Sequence, residues 1–232
     1  MKIVSWNCRN GLTEEKANII LKEYPDTDIF VIQECREQDI NAFKIDWKYK
    51  HWLGDDKEKF SDLGIAVFSK GYDLEFIDTL NREFRYVVPY KLTVNNKLIV
   101  LVAVWTKPIP YYYDENVTKA ISYYKDLFLE DAIIIGDFNT GYSEKHKKRY
   151  SDLCENLNGF KNCALGKTEE FKETFFSYRM NSLYLNDFCF VSESLYANTK
   201  VIKIHDDWGK NQYGQKCWNG SDHCPIMVEF DF

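Results

Sequence analysis

A chain of 232 residues is long enough to bury one substantial core, and 45% hydrophobic with 16% aromatic residues excludes a disordered chain. A net charge of −6 argues against a broad electrostatic grip on nucleic acid, while a local basic groove stays open. No apolar run approaches the roughly 20 residues that cross a bilayer, so no membrane span is expected.

Residues 1–7 read as a strand and lack the basic segment, apolar stretch and cleavage site of a signal peptide. Thr13 suits the N-cap of a first helix, in which Ala17, Ile20, Leu21 and Tyr24 share one face and which Pro25 ends. Residues 28–34 form a buried strand closing on Glu34. Residues 64–70 and 86–92 read as antiparallel strands. The middle of the chain then echoes its start. A strand over 97–105 leads to a predicted helix over 114–129, with Ala120, Tyr124, Leu127 and Phe128 on its apolar face. Residues 132–137 form a second buried strand, closing on Asp137. Further strands are predicted over 185–191, 199–204 and 224–230.

Uninterrupted apolar runs mark strands covered on both faces. Acids at their ends lie at a sheet rim, where layered α/β proteins place ligands. Many strands and few helices predict two stacked sheets with helices outside. No Pro/Gly/Ser linker breaks the chain, so residues 1–232 read as a single domain.

Seven cysteines without a Cys-x-x-Cys pair favour free thiols in a reducing compartment, and a cytoplasmic location is expected. Cys217, His223 and Cys224 lack the paired spacing of a structural zinc site. The basic run Lys145, Lys147, Lys148 and Arg149 reads as a solvated helix face in preference to a phosphate contact.

Several short motifs carry chemistry. A carboxylate closing a buried strand, as Glu34 does, is costly unless solvated, paired or bound to a cation. Magnesium takes one or two carboxylates plus water and phosphate oxygens. An acid that simply reaches water is the alternative. In Gly136-Asp137-Phe138-Asn139, an acid and an amide two positions apart face one side of an extended segment. Asp accepts a proton from water, and Asn offers uncharged donors. A plain turn is the alternative here. Ser221-Asp222-His223 stands just before the last strand.

Together with Ser5-Trp6-Asn7 and Ile32-Gln33-Glu34, these motifs resemble, in order and flanks, the endonuclease/exonuclease/phosphatase superfamily, which includes deoxyribonuclease I and exonuclease III. The resemblance spans residues 1–230. It implies an α/β fold, a four-layered α/β/β/α sandwich of two mostly antiparallel sheets with outer helices. It also implies a hydrolase: a phosphoesterase dependent on Mg2+ or Mn2+. Glu34 would be the main metal ligand, with Asn7 beside it and Asp222 close by. Asp137 would orient or deprotonate the attacking water, Asn139 would support the transition state, and His223 would contact the phosphate. Asp187 would partner His223, as in members that carry a Tyr-Arg segment upstream, here Tyr178-Arg179. Asn7, Arg9 and Arg179 are the candidate substrate contacts.

Some positions depart from the family pattern. Leu185-Asn186 replaces the usual Arg-Ile before Asp187. Where the family often has a His or Tyr after its central strand, this chain has Trp105 and Thr106, neither a good proton shuttle, followed by Lys107. Arg9 stands where some relatives carry an acid and deoxyribonuclease-I-like members can carry Arg.

Nucleic-acid phosphodiester hydrolysis is the expected function, by an endonuclease or exonuclease, with DNA favoured over RNA and a monomer as the working state. Tyr111, Tyr112, Tyr113, Trp208 and Trp218 are aromatics that could stack on bases, although packing is the ordinary role of each. The alternative is a phosphatase or phosphodiesterase for a small-molecule or lipid-headgroup phosphoester, which the acidic balance favours. A binding module that kept the fold and lost catalysis is a third reading.

Overall fold

Apolar residues alternate along the first strands and build two faces at once. In β1 (Lys2–Asn7), Val4 and Trp6 pack against the first helix, while Ile3 faces the molecular interior. After α1 (Glu14–Glu23), β2 (Ile29–Arg36) repeats this pattern, with Phe30 and Ile32 toward the helix and Ile29 and Val31 inward. Helix α1 starts where expected: Thr13 Oγ1 accepts from Lys16 N at 3.3 Å, and the helix stops at Tyr24, before Pro25. Its Ala17 and Ile20 are buried.

The chain continues through β3 (Tyr49–Gly54), β4 (Leu63–Ser69), β5 (Asp73–Phe76), β6 (Val87–Val94), β7 (Lys97–Trp105), α2 (Tyr113–Tyr123), β8 (Asp131–Tyr142) and α3 (Lys147–Asn156). It closes with β9 (Phe160–Asn162), β10 (Phe175–Ser177), β11 (Ser182–Ser192), β12 (Thr199–Ile204), the small hairpin β13 (Gly209–Lys210) and β14 (Lys216–Cys217), and β15 (Ile226–Phe230). This computed structural model describes all residues except 55–61, 79–80, 82, 109–111, 130, 143–146, 164–171 and 205–206.

One sheet has the order β12-β15-β1-β2-β4-β3, and the other runs β10-β11-β8-β7-β6-β5 with β9 added beside β11. Among the described residues of these sheets, only β1–β2 and β7–β8 pair in parallel, the rest being antiparallel. The parallel pairs are the two strand–helix–strand units whose echo the sequence shows. Helix α1 covers the first sheet, and α2 buries Val117, Ala120 and Ile121 beside the second. The four-layered expectation holds.

Two element expectations change. The helix predicted over 114–129 stops at Tyr123, and a 3-10 turn, Lys125–Leu129, follows. Tyr124 breaks it: the ring is buried and its hydroxyl accepts from Asn81 N at 3.0 Å. The last strand starts at Ile226 instead of Cys224, because Pro225 has no amide to pair. The first and last strands are partners, with Ile3 opposite Val228 and Ser5 opposite Ile226. This brings the sequence-distant Ser221-Asp222-His223 segment beside β1. Trp6 Nε1 donates to His223 O at 3.1 Å, and its ring meets Trp218 edge to face at 5.1 Å, a contact worth about 0.5–1.5 kcal/mol beyond its area.

Candidate active site

The inward face of the first sheet turns polar toward its rim. Ser5 and Asn7 continue the face of Ile3, and Gln33 continues that of Val31. Gln33 Nε2 donates to Ser5 Oγ at 2.8 Å. Simple alternation would send Glu34 to the helix side. Instead Glu34 takes φ 56 at a bulge, where β2 shifts register against β4 between Gln33 and Cys35. Its carboxylate therefore meets Asn7, whose Nδ2 donates to Glu34 Oε1 at 3.2 Å, and Asn10 N, which donates to Oε2 at 3.0 Å.

The second sheet supplies the opposite rim. Gly136 lies across from Val104, and a Cβ on it would fall 1.9 Å from the Val104 carbonyl oxygen. Only glycine lets β8 pack this close, at φ 152. Asp137 follows and is fully buried. Its Oδ1 accepts from Asn139 N at 2.9 Å, and its Oδ2 accepts from both Asn139 Nδ2 and Asn7 Nδ2 at 2.9 Å. Asn7 thus bridges Glu34 and Asp137 across the two sheets. Asn139 spends its other amide hydrogen on Thr106 O at 3.1 Å, so it acts on Asp137 and has no donor left for a phosphate.

The closing segment brings the imidazole. Ser221 Oγ donates to Asn7 O at 2.6 Å and accepts from His223 N at 3.0 Å. His223 Nδ1 lies 2.9 Å from Asp187 Oδ2, and Nε2 lies 3.8 Å from Asp137 Oδ2. Asp187 is held in turn by Thr174 Oγ1, which accepts from Asp187 N at 3.1 Å. The Phe175 ring covers the imidazole at 4.7 Å. Burial disfavours the imidazolium, but the carboxylates of Asp187 and Asp137 outweigh it and hold its pKa up at about 10. Burial also pushes the Asp137 carboxyl up to about 7 despite His223. Asp222 moves up for the same reason, opposed by His223 and Arg9.

Arg9 Nε lies 3.4 Å from Asp222 Oδ2, and its guanidinium stacks 4.4 Å over the Tyr178 ring. It is part-exposed at the cleft and already committed to an acid. Arg179 is exposed on the turn after β10. The central departure has a packing cause. Trp105 is buried and stacks on Tyr86 at 5.4 Å, while Lys107 places its ammonium 4.6 Å over the Trp105 ring. Thr106 Oγ1 donates to Phe138 O at 2.5 Å, which fixes the strand end beside Asp137.

Among the aromatics named above, Tyr112 is exposed and Trp218 is core, so Trp218 is no stacking platform; Tyr111 lies outside the described residues. Cys217, His223 and Cys224 do not form a metal group: the imidazole faces Asp187, and Cys224 packs in the core beneath α1. Lys148 and Arg149 are exposed on α3, as a solvated face requires, and Lys145 lies outside the described residues. All seven cysteines are free.

The charge balance fits a divalent cation. Glu34, Asp137, Asp187 and Asp222 gather around His223 and Arg9, an excess of negative charge that burial makes costly. Asp137, Asp187 and His223 bring ligand atoms within 4.8 Å of one another. An imidazolium cannot ligate a metal, so that group suits a hydrogen-bonded triad better. Glu34 is different: it is half-buried, with each oxygen holding a single hydrogen-bond donor among the described residues. Among the described residues, Asn7 Oδ1 accepts only from Arg9 N, at 3.0 Å, which leaves it a lone pair. The hard oxygens of Glu34, Asn7 and Asp222 suit Mg2+ or Mn2+.

No family model matches the sequence, and no curated protein matches it. Solved structures do match in three dimensions. An endonuclease/exonuclease/phosphatase family protein from Leptotrichia buccalis C-1013-b is 17% identical, with each chain fully covered and a TM-score of 0.69. A 3'-5' exonuclease, NExo, from Neisseria meningitidis is 19% identical, also with full coverage of both chains, at 0.66. The AP endonuclease LMAP from Leishmania major is 16% identical at 0.72, with all of this chain and 87% of that one covered. The chain has the endonuclease/exonuclease/phosphatase fold. Solved structures similar to it include nucleases and other phosphoester hydrolases.

Proposed function

We propose that this chain is a divalent-metal-dependent phosphoesterase that hydrolyses nucleic-acid phosphodiesters, DNA before RNA. The carrying observation is the Asn7 bridge: one amide joins Glu34 of the first sheet to Asp137 of the second, with the His223 imidazole 3.8 Å beyond. Residues from distant parts of the sequence thereby share one cleft.

Glu34, with Asn7 Oδ1 and Asp222, would hold Mg2+ or Mn2+. When bound there, the ion offsets charge on the phosphoryl and leaving oxygens. Asp137 takes a proton from water, and a carboxyl pKa near 7 suits that task at neutral pH. Asn7 and Asn139 aim its carboxylate. Protonated His223 presents Nε2–H to a phosphoryl oxygen while Asp187 fixes the ring through Nδ1. Arg9, stacked on Tyr178, and Arg179 meet the flanking phosphates. General-base help is worth about 10²–10⁴-fold, so the hydrogen-bond donors and the ion carry the remainder. DNA is the bound product in some structural neighbours, such as NExo with a product DNA hairpin.

A small phosphoester is the second reading. The net charge of −6 and the pairing of Arg9 with Asp222 favour it. One panel separates the two: supercoiled plasmid, single-stranded DNA, RNA and small phosphomonoesters, each with Mg2+, Mn2+ or chelator, and Glu34→Ala as control. Metal-dependent cleavage of plasmid or strand is expected. Turnover of the small phosphoesters alone would transfer the assignment to the second reading.

A further inference from the structure

Lys16 has no part in the expectations above, yet it organises the loop that faces Glu34. It sits in the first turn of α1, where its amide donates to Thr13 Oγ1. Its side chain runs back to the loop over residues 8–11. The ammonium donates to the carbonyl oxygens of Cys8 at 2.6 Å, Arg9 at 2.8 Å and Gly11 at 3.2 Å, which uses every N–H it has. Arg36 Nη1 takes the remaining carbonyl, that of Asn10, at 2.5 Å.

Arg9, Asn10 and Gly11 have φ of 52, 58 and 105, and in this left-handed turn the carbonyls converge on Lys16 and Arg36. The same turn aims the amides toward the cleft. Arg9 N donates to Asn7 Oδ1 at 3.0 Å, Asn10 N to Glu34 Oε2 at 3.0 Å and Gly11 N to Glu34 O at 2.8 Å. A left-handed run with converging carbonyls is strained and self-repelling unless a cation sits beneath it. The lysine stem also borders the loop ahead of Asp222, since a Cβ on Gly220 would lie 3.5 Å from Lys16 Cε.

We propose that Lys16 is a positioning residue of the cation site: by gripping the carbonyls of the 8–11 loop, it fixes the amides that orient Glu34 and Asn7. This rests on the phosphoesterase reading given above. Its sign separates it from plain electrostatics. Loss of a positive charge this close to Glu34 would by itself tighten cation binding, whereas loss of the positioning loosens it.

The test is Mn2+ binding, read from the electron paramagnetic resonance signal of the free ion. Wild type, Lys16→Met and Glu34→Ala are titrated, and the melting temperature of each is taken by circular dichroism. Lys16→Met is expected to weaken Mn2+ binding about 10–100-fold, as loss of an outer support of a metal ligand does. Affinity equal to or tighter than wild type overturns the proposal, and so does a loss confined to melting temperature. If Lys16→Met fails to fold, Lys16→Ala, which removes every side-chain donor, takes its place, and affinity equal to or tighter than wild type there overturns the proposal equally. Should Glu34→Ala bind like wild type, the cation site itself is wrong, and the proposal falls with it. Glu34-dependent binding untouched at Lys16 sinks the lysine role alone.

Discussion

Glu34 and Asp137 close similar apolar strands, yet the two sheet rims treat them differently. Glu34 leaves its strand through a bulge and stays half-buried, with one side-chain donor and one amide on its oxygens. Asp137 stays in line, fully buried, and is gripped by Asn7 and Asn139. In the function proposed above, the first acid is open to a cation and the second is held for proton chemistry. The same sequence device, an apolar run ending in a carboxylate, gains two roles from local backbone geometry.

The largest effects should come from breaking either rim. Glu34→Ala, Asp137→Asn and His223→Ala are each expected to cut turnover at least about 100-fold. Single-turnover cleavage of the best substrate measures this, and near-normal rates in all three would dismantle the site. Next comes Asp187→Asn. Asp187 holds the His223 pKa up at about 10, so its neutralisation should pull the basic limb of the kcat/KM profile down by about 1–3 pH units. A basic limb that stays in place would remove Asp187 from its pairing role.

Gly136→Ala sharpens the comparison from the packing side. A Cβ 1.9 Å from Val104 O must push β8 off β7, with an expected cost of about 1–3 kcal/mol. Chemical denaturation measures it, and unchanged stability would show that the close approach is dispensable.

The smallest effect concerns stability in chelator. The folded-state pKa of Asp137 is raised from 3.8 to about 7 and that of His223 from 6.5 to about 10. Each therefore contributes stability that is fully present below its unfolded value and lost as pH rises through its folded value. For Asp137 that window runs from about pH 4 to 7, and for His223 from about 6.5 to 10. Metal-free protein should melt at lower temperature as pH climbs from 6 to 10. Thermal melts in chelator across that range measure this, and a melting temperature that rises with pH would overturn the sign drawn from Asp137 and His223.

Most of the candidate site was legible because its residues stand in short runs at strand ends whose order resembles one superfamily. Asp137 and Asn139 share one segment, and Ser221, Asp222 and His223 share another. The apolar runs and their repetition pointed to two stacked sheets with outer helices; the four-layered order came with the superfamily resemblance. Lys16 was not legible, because its partners are backbone carbonyls and those leave no residue-type pattern. The bulge that turns Glu34 toward Asn7 was hidden as well, since left-handed backbone at a glutamate carries no local signal. Trp105 showed in sequence only as a departure; the Tyr86 stack that explains it joins the end of β7 to the turn before β6.

The pairing of β1 with β15 makes the cleft divisible. Ser221 Oγ reaches the Asn7 carbonyl across 214 positions of chain, and Trp6 Nε1 donates to the His223 carbonyl. The imidazole is thus seated by the β1–β15 seam, whereas the Asn7–Glu34 contact spans β1 and β2. Peeling β15 from β1 would withdraw His223 and leave that contact in place.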